Sequence, residues 1–206
     1  MGGVLEGVRV LDFGRYIAGP YCATLLAEFG AEVIRVEKRE GSEDRFVAPV
    51  GEGGEGALFL QINRNKKCIT LDPMKPEGQE VMRRLVATAD VVVANLPPQT
   101  LRAMKLDYES LKAIKPDIIL TTATAFGGPG PWSDRVGFDG VGQVMSGAVY
   151  MTGKGDPPYR AAVRLSETPG EIVSRPPTLG EHTDRVLADI GYDADAIAAL
   201  RNNGII

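Results

Sequence analysis

Residues 5–41 read LEGVRVLDFGRYIAGPYCATLLAEFGAEVIRVEKREG, and this stretch decides the fold. Val8 to Phe13 is a short apolar run, the mark of a buried strand. A glycine-rich loop follows, Gly14-Arg15-Tyr16-Ile17-Ala18-Gly19-Pro20. Pro20 suits the first turn of a helix, where a missing N–H costs nothing. Cys22, Leu25, Leu26 and Phe29 then recur at helical spacing and form one apolar face. Gly30 is a natural stop, and Ala31 to Glu37 is a second strand. Strand, helix and strand in immediate succession make the βαβ unit of a parallel sheet.

The alternation continues outward. Gly51 to Gly56 is a polar loop, and Cys68 to Leu71 a short strand. Pro76 to Ala87 is helical, again with proline at the start. Asp90 to Ala94 is a strongly β-branched strand. Asp107 can cap a short helix running through Ile114, and Asp117 to Thr122 is another strand. Ala125 to Gly142, rich in glycine and proline, is a long structured loop, a type that is often functional. Gly170 to Thr178 is an extended linker, followed by helices over Glu181–Ile190 and Asp195–Asn202. The expected class is therefore α/β. A Rossmann-like open, mostly parallel sheet carries helices on both faces, with a C-terminal helical tail.

Composition narrows the function. A net charge of −4 over 206 residues argues against nucleic acid as a partner. No apolar run is long enough for a membrane span, and the first residues lack the pattern of a secretory signal. Two cysteines, Cys22 and Cys68, each lie in apolar surroundings and read as buried thiols in a reducing, cytoplasmic compartment. A single histidine, His182, excludes a zinc site built from several histidines, and no metal is expected. It reads as part of a helix start rather than as a catalytic base. Glu37 stands where a dinucleotide enzyme places its ribose-binding acid, but the first turn, G-R-Y-I-A-G, is not G-x-G-x-x-G.

Five segments together resemble the class III CoA-transferases, which include formyl-CoA and carnitine CoA-transferases, with α-methylacyl-CoA racemase as a related branch. They are the stretch quoted above, NRNKKCITLD (63–72), ADVVVANLPPQTLRAM (89–104), AFGGPGPWSDRVGFDGVGQVMSG (125–147) and the tail from Ser174 to Ile206. The resemblance implies an enzyme that moves coenzyme A between carboxylic acids. There an aspartate attacks the acyl thioester, and CoA returns to give an aspartyl thioester. It also implies that coenzyme A or an acyl-CoA is a substrate and that no prosthetic group is needed. Relatives are about twice as long and carry the aspartate in an S-x-x-D-x-x-T-G stretch soon after the segment matching Met151–Ala162. Here Val163 runs directly into Arg164-Leu165-Ser166-Glu167-Thr168-Pro169-Gly170, which belongs near the family's C-terminus. The expectation is an internal deletion: residues 1–163 form the CoA-binding domain, 164–206 pack back onto it, and the second domain and catalytic aspartate are missing. No catalytic residue is therefore named. A homodimer remains open, but the interlocked ring of relatives cannot close without the second domain.

A ligand with a pyrophosphate and a ribose phosphate needs cations and backbone N–H donors. The resemblance places candidates at the strand ends, where open α/β sheets bind ligands. Arg15, Tyr16 and Ala18 lie in the first loop, Lys38 beyond the second strand, and Asn95, Leu96 and Arg102 beyond the DVVVA strand. Asn63 and Lys66 belong to the basic turn that also holds Arg64 and Lys67. That turn reads equally well as a solvated strand edge. Phe138 and Asp139 occupy the substrate loop. Racemase relatives place a basic histidine where Phe138 stands, which points away from racemisation. The remaining alternative is a non-catalytic fragment or assembly module of the family.

Overall fold

The structure, a computed structural model, describes residues 3–47, 49, 51–52, 54–148 and 177–206. The segment Met151–Ala162, the junction at Val163 and most of the Gly170–Thr178 linker lie outside the described residues.

Five strands form one sheet: β1 (Arg9–Asp12), β2 (Glu32–Glu37), β3 (Lys66–Thr70), β4 (Val91–Ala94) and β5 (Ile119–Thr122). Their order is β3-β2-β1-β4-β5, and every pairing is parallel. Each connection returns to the same end of the sheet, so all carboxyl ends open on one rim. The chain reverses its direction of travel across the sheet between β1 and β4, which makes their exits the topological switch point.

Helix α1 (Ala18–Glu28) covers one face; α3 (Pro76–Ala87) and α5 (Tyr108–Ile114) belong to the other. Strand alternation explains the division. Val10, Val33 and Val93 point to the α1 side with Ala23 and Ala27. Leu11, Ile34, Ile69 and Val92 point to the opposite side, into a larger cluster with Val81, Leu85, Leu111, Val186, Leu187 and Ile206. The tail helices, α7 (Thr183–Asp189) and α8 (Ala194–Asn202), thus share the core of the sheet. The tail also lies along β3: Cys68 N donates to His182 Nδ1 at 3.1 Å, His182 N donates to Cys68 O at 3.0 Å, and Asp72 N donates to Ile205 O at 2.8 Å. His182 therefore sits at the start of α7, as its surroundings in sequence suggest.

Three details depart from the sequence reading. First, α1 buries Gly19, Pro20, Ala23, Thr24 and Ala27, whereas Cys22, Leu25, Leu26 and Phe29 are only partly covered. The helix lies close to the sheet, and close approach selects small residues over the larger apolar ones. Cys22 is accordingly half-buried, while Cys68 is buried; both thiols are free. Second, a 3-10 turn (Glu43–Phe46) and α2 (Ala57–Ile62), neither of them read from the sequence, flank the expected loop at Gly51–Gly56. Third, α4 (Pro98–Ala103) follows β4, and α6 (Asp139–Met145) interrupts the glycine-rich loop. By contrast, α3 begins at Pro76, and Asp107 caps α5 by accepting from Ser110 N at 3.1 Å, as their sequences predict.

Candidate functional site

Beneath the carboxyl rim on the α1 side, alternation brings ionisable residues inward where valine stood one pleat earlier. Asp12 follows Val10, and Arg35 and Glu37 follow Val33; Lys66 enters from β3. All four side chains are buried, joined by Asp44 and Arg45 of the 3-10 turn. Three cations face three carboxylates, and the geometry is tight. Arg35 donates from Nε to Glu37 Oε1 at 2.8 Å and from Nη2 to Asp44 Oδ2 at 2.7 Å. Its Nη1 lies 3.6 Å from Asp12 Oδ2. Arg45 grips Glu37 with two bonds of 2.9 Å and lies 4.0 Å from the ring centre of buried Phe59. Lys66 uses three donors, to Asp12 at 2.8 Å, Pro20 O at 2.7 Å and Asn63 Oδ1 at 2.9 Å.

The charges respond to one another. Burial works to raise Asp12, but Lys66 and Arg35 outweigh it and hold the carboxyl below its ordinary range. Against the same burial penalty, Arg35 and Arg45 pull Glu37 down to about 2. Burial draws Lys66 down to about 8, with Asp12 opposing. Burial lifts Asp44, with Arg35 opposing and Glu37 adding to the rise. Burial also drives the Cys68 thiol up to about 11, which leaves it unreactive at neutral pH.

This layer carries the loops above it. Asp12 accepts from Gly14 N at 2.8 Å, and Glu37 accepts from Ser42 N at 2.8 Å. The rim it supports contains a cleft of about 320 Å³ beyond the ends of β1, β2 and β3. Arg15, Lys38 and Arg39 stand around it with Glu37, Glu40 and Asp72 among them, and Phe13, Leu71 and Met74 supply apolar wall. Arg15 is fixed by Nη1, which donates to the carbonyls of Phe13, Gly14 and Val36 at 3.2, 2.8 and 3.4 Å. Lys38 is exposed and pairs with Glu43. The first turn of α1 has neither an acidic residue nor a side-chain cap.

The candidate residues therefore separate. Arg15 and Lys38 line the cleft. Asn63 and Lys66 do not: both are buried and bound to each other, so the basic turn is no cationic surface. Its other members are also engaged, Arg64 with Glu28 and Lys67 with Glu32. Leu96 packs its side chain against the larger core, and Ala18 is the exposed first residue of α1. Arg102 is exposed and reaches Asp134 at 3.3 Å, tying α4 to the long loop. Tyr16 takes a left-handed backbone, φ 58°, and meets Phe138 edge-on at 5.6 Å, so the first loop touches the glycine-rich loop. Asp139 is exposed and accepts from Gln143 Nε2 one turn later. Asn95 points back at the first loop, with its amide on the Arg15 backbone. Arg39, which follows Lys38 past the same strand end, lines the cleft with it. Sequence reasoning missed the buried layer. The signal was present: two charges two apart within an apolar parallel strand have no solvent to face and require partners. Glu37 belongs to that layer, with both carboxylate oxygens engaged. Among the described residues, no group of histidine, cysteine and carboxylate side chains could hold a metal ion. No helix there is long and apolar enough to cross a membrane.

Comparison with known proteins follows the geometry. The pattern described as CoA-transferase family III matches residues 5–163. Over 171 residues the chain is 40% identical to a succinate–glutarate CoA-transferase of Agrobacterium fabrum, a match covering 79% of this chain and 43% of the relative. It is 42% identical over 166 residues to the human succinyl-CoA:glutarate CoA-transferase, covering 79% and 38%. The crystal structure of a CAIB/BAIF family protein from Brucella suis superposes with a TM-score of 0.68 at 33% identity, covering all of this chain and 52% of the other. The chain thus spans about two fifths of these curated relatives and about half of that solved structure.

Proposed function

The chain belongs to CoA-transferase family III, and from that premise we propose that it binds coenzyme A or an acyl-CoA in the rim cleft without completing CoA transfer. The carrying observation is the convergence of Arg15, Lys38 and Arg39 on one cleft with apolar walls. Such a cleft suits a ligand that is part phosphate and part adenine. Lys38 would exchange Glu43 for a phosphate, and the uncapped start of α1 would add backbone donors. Residues 1–163 act as the CoA-binding unit, with 164–206 as its returning tail; the tail's place in the common core supports this division. The transfer step is missing because no aspartate follows Val163 at the spacing of the family's nucleophile. Free thiols fit a reducing compartment, and the cytoplasm is proposed as the location.

Calorimetry with CoA and acetyl-CoA tests the reading. Binding is expected, weakened at least ten-fold by Lys38→Ala together with Arg39→Ala; no heat at millimolar ligand overturns it. A steady-state assay with succinyl-CoA and glutarate tests the second half. Sustained turnover would show that another group performs the exchange.

One observation favours a second reading, an assembly module. Helix α6 buries none of its residues, and Phe138, Val144 and Met145 stand exposed on or beside it. Light scattering decides: a monomer at all concentrations removes the assembly role.

A further inference from the structure

We propose that Asn95 is a positioning residue: it sets the backbone of Arg15, and through it the guanidinium that faces the ligand, without touching the ligand itself. The inference rests on the CoA-binding reading of the cleft and assigns Asn95 a task within it.

Asn95 leaves the end of β4, and Arg15 leaves the end of β1, so the two meet at the switch point of the sheet. The side-chain amide of Asn95 makes a closed pair of hydrogen bonds with one residue. Arg15 N donates to Asn95 Oδ1 at 2.6 Å, and Asn95 Nδ2 donates to Arg15 O at 2.7 Å. An amide is the natural side chain for this, since it offers a donor and an acceptor side by side. A carboxylate would turn an oxygen toward the Arg15 carbonyl, and an aliphatic residue would leave both backbone groups unmet.

Two neighbours show that the loop is built around this clasp. Tyr16, next in the chain, has φ 58°, a conformation that costs a non-glycine residue energy and persists only where surroundings impose it. Gly19 leaves room for the amide: a Cβ there would stand 2.7 Å from Asn95 Oδ1 and 2.7 Å from Gly14 Cα. The clasp thus fixes the peptide groups on both sides of Arg15. Among the described residues the guanidinium above them is anchored through Nη1, which leaves its remaining donors for the cleft. With both of its amide atoms committed to Arg15, Asn95 has little left to offer a ligand.

The test is a double-mutant cycle on the full chain, with CoA as the probe and affinity read by calorimetry. Asn95→Ala is expected to weaken CoA about ten-fold in the natural background and less than about two-fold once Arg15→Ala is present. Full additivity, ten-fold in both backgrounds, would show that Asn95 meets the ligand independently and would overturn the proposal; so would an Asn95→Ala protein with unchanged affinity. Gly19→Ala crowds the same clasp from the other side and should give a similar loss with no charged group altered. If Asn95→Ala loses native circular dichroism, Asn95→Ser carries the same cycle, since a single short hydroxyl cannot meet both Arg15 backbone groups and adds no charge. Amide exchange in the loop of residues 13–17 provides a readout without ligand and should quicken in each Asn95 variant. Absence of CoA binding by the natural protein would instead strike the reading of the cleft, leaving the exchange measurement to judge the clasp.

Discussion

The two faces of this sheet come from the same strands, one residue apart, and are built on opposite principles. On the side of α3, α5 and the tail, Leu11, Ile34, Ile69, Val92 and Leu85 make an unbroken apolar core. On the side of α1 the apolar layer of Val10, Val33 and Val93 gives way, toward the rim, to Asp12, Arg35, Glu37 and Lys66. The apolar face gains stability from every methylene removed from water. The ionic layer gains little net stability, because desolvation offsets most of its attraction. It supplies direction instead: each charge also grips a backbone group of a rim loop, at Gly14, Pro20 or Ser42. Fold strength thus lies mainly with one face and the setting of the rim loops with the other, although Phe13 and Leu71 of the apolar core also wall the cleft.

Arg35→Met breaks this comparison most severely. Removing one charge strips Asp44 of its ion-pair partner and leaves Asp12 with Lys66 and Glu37 with Arg45, all of them buried. Urea unfolding should show a loss of about 3–5 kcal/mol, the usual cost of an orphaned buried charge. A loss under 1 kcal/mol would mean that water already reaches the layer. On the other face, Leu85→Ala removes a fully buried side chain and should cost about 3 kcal/mol by cavity formation. The two variants should part company in binding: Arg35→Met weakens CoA along with stability, whereas Leu85→Ala leaves affinity within about two-fold.

Acid sharpens the contrast. Glu37 is held at about 2 against an ordinary value of 4.5. A depressed carboxyl contributes stability that is fully present above the ordinary value and is lost as pH falls toward the folded one. Unfolding free energy should therefore decline between pH 4.5 and 2, with Asp12 contributing in the same direction. Arg45→Met lets Glu37 rise and should flatten that decline, because the titration then nears that of the unfolded chain. Leu85→Ala should lower the whole curve without changing its shape.

The apolar face was the legible one. Periodicity locates α3 from Pro76, turn chemistry locates α5 from Asp107, and β-branched runs locate the central strands. Each of these signals is local. The α1 face was legible only in outline, because its rule is proximity to the sheet rather than hydrophobicity. Gly19, Ala23 and Ala27 turn inward, while the larger Leu25 and Leu26 are pushed aside. At the rim, Lys66 looked like a surface cation because two of its three acceptors come from distant parts of the chain, 46 and 54 residues away. Arg15 and Lys38 were named on the family resemblance, since position at a strand end alone reads equally as a solvated loop; both stand in the cleft. The helix over Ala57–Ile62 was not recognised; six residues are too few to show a period.

The smallest expected effect makes the strictest test of the difference between buried and exposed charge. Glu80, on α3, accepts from Arg83 and Arg84 at 2.7 to 2.9 Å, and these bonds hold its carboxyl at about 2, the same value as Glu37. By titration alone the two carboxylates look alike. Their surroundings are opposite, because Glu80 and both its arginines lie on the exposed side of the helix. Water and salt screen that pair, and freezing three long side chains cancels much of what attraction remains. Glu80→Gln should therefore change unfolding free energy by less than about 0.5 kcal/mol, and even that difference should vanish in 1 M salt. Glu37→Gln has no solvent to fall back on; it leaves Arg45 and Arg35 facing a neutral amide in the interior. Its cost should run to several kcal/mol and persist at high salt. If the two substitutions proved equal, burial would have no part in the behaviour of the rim, and the division between the faces would fail.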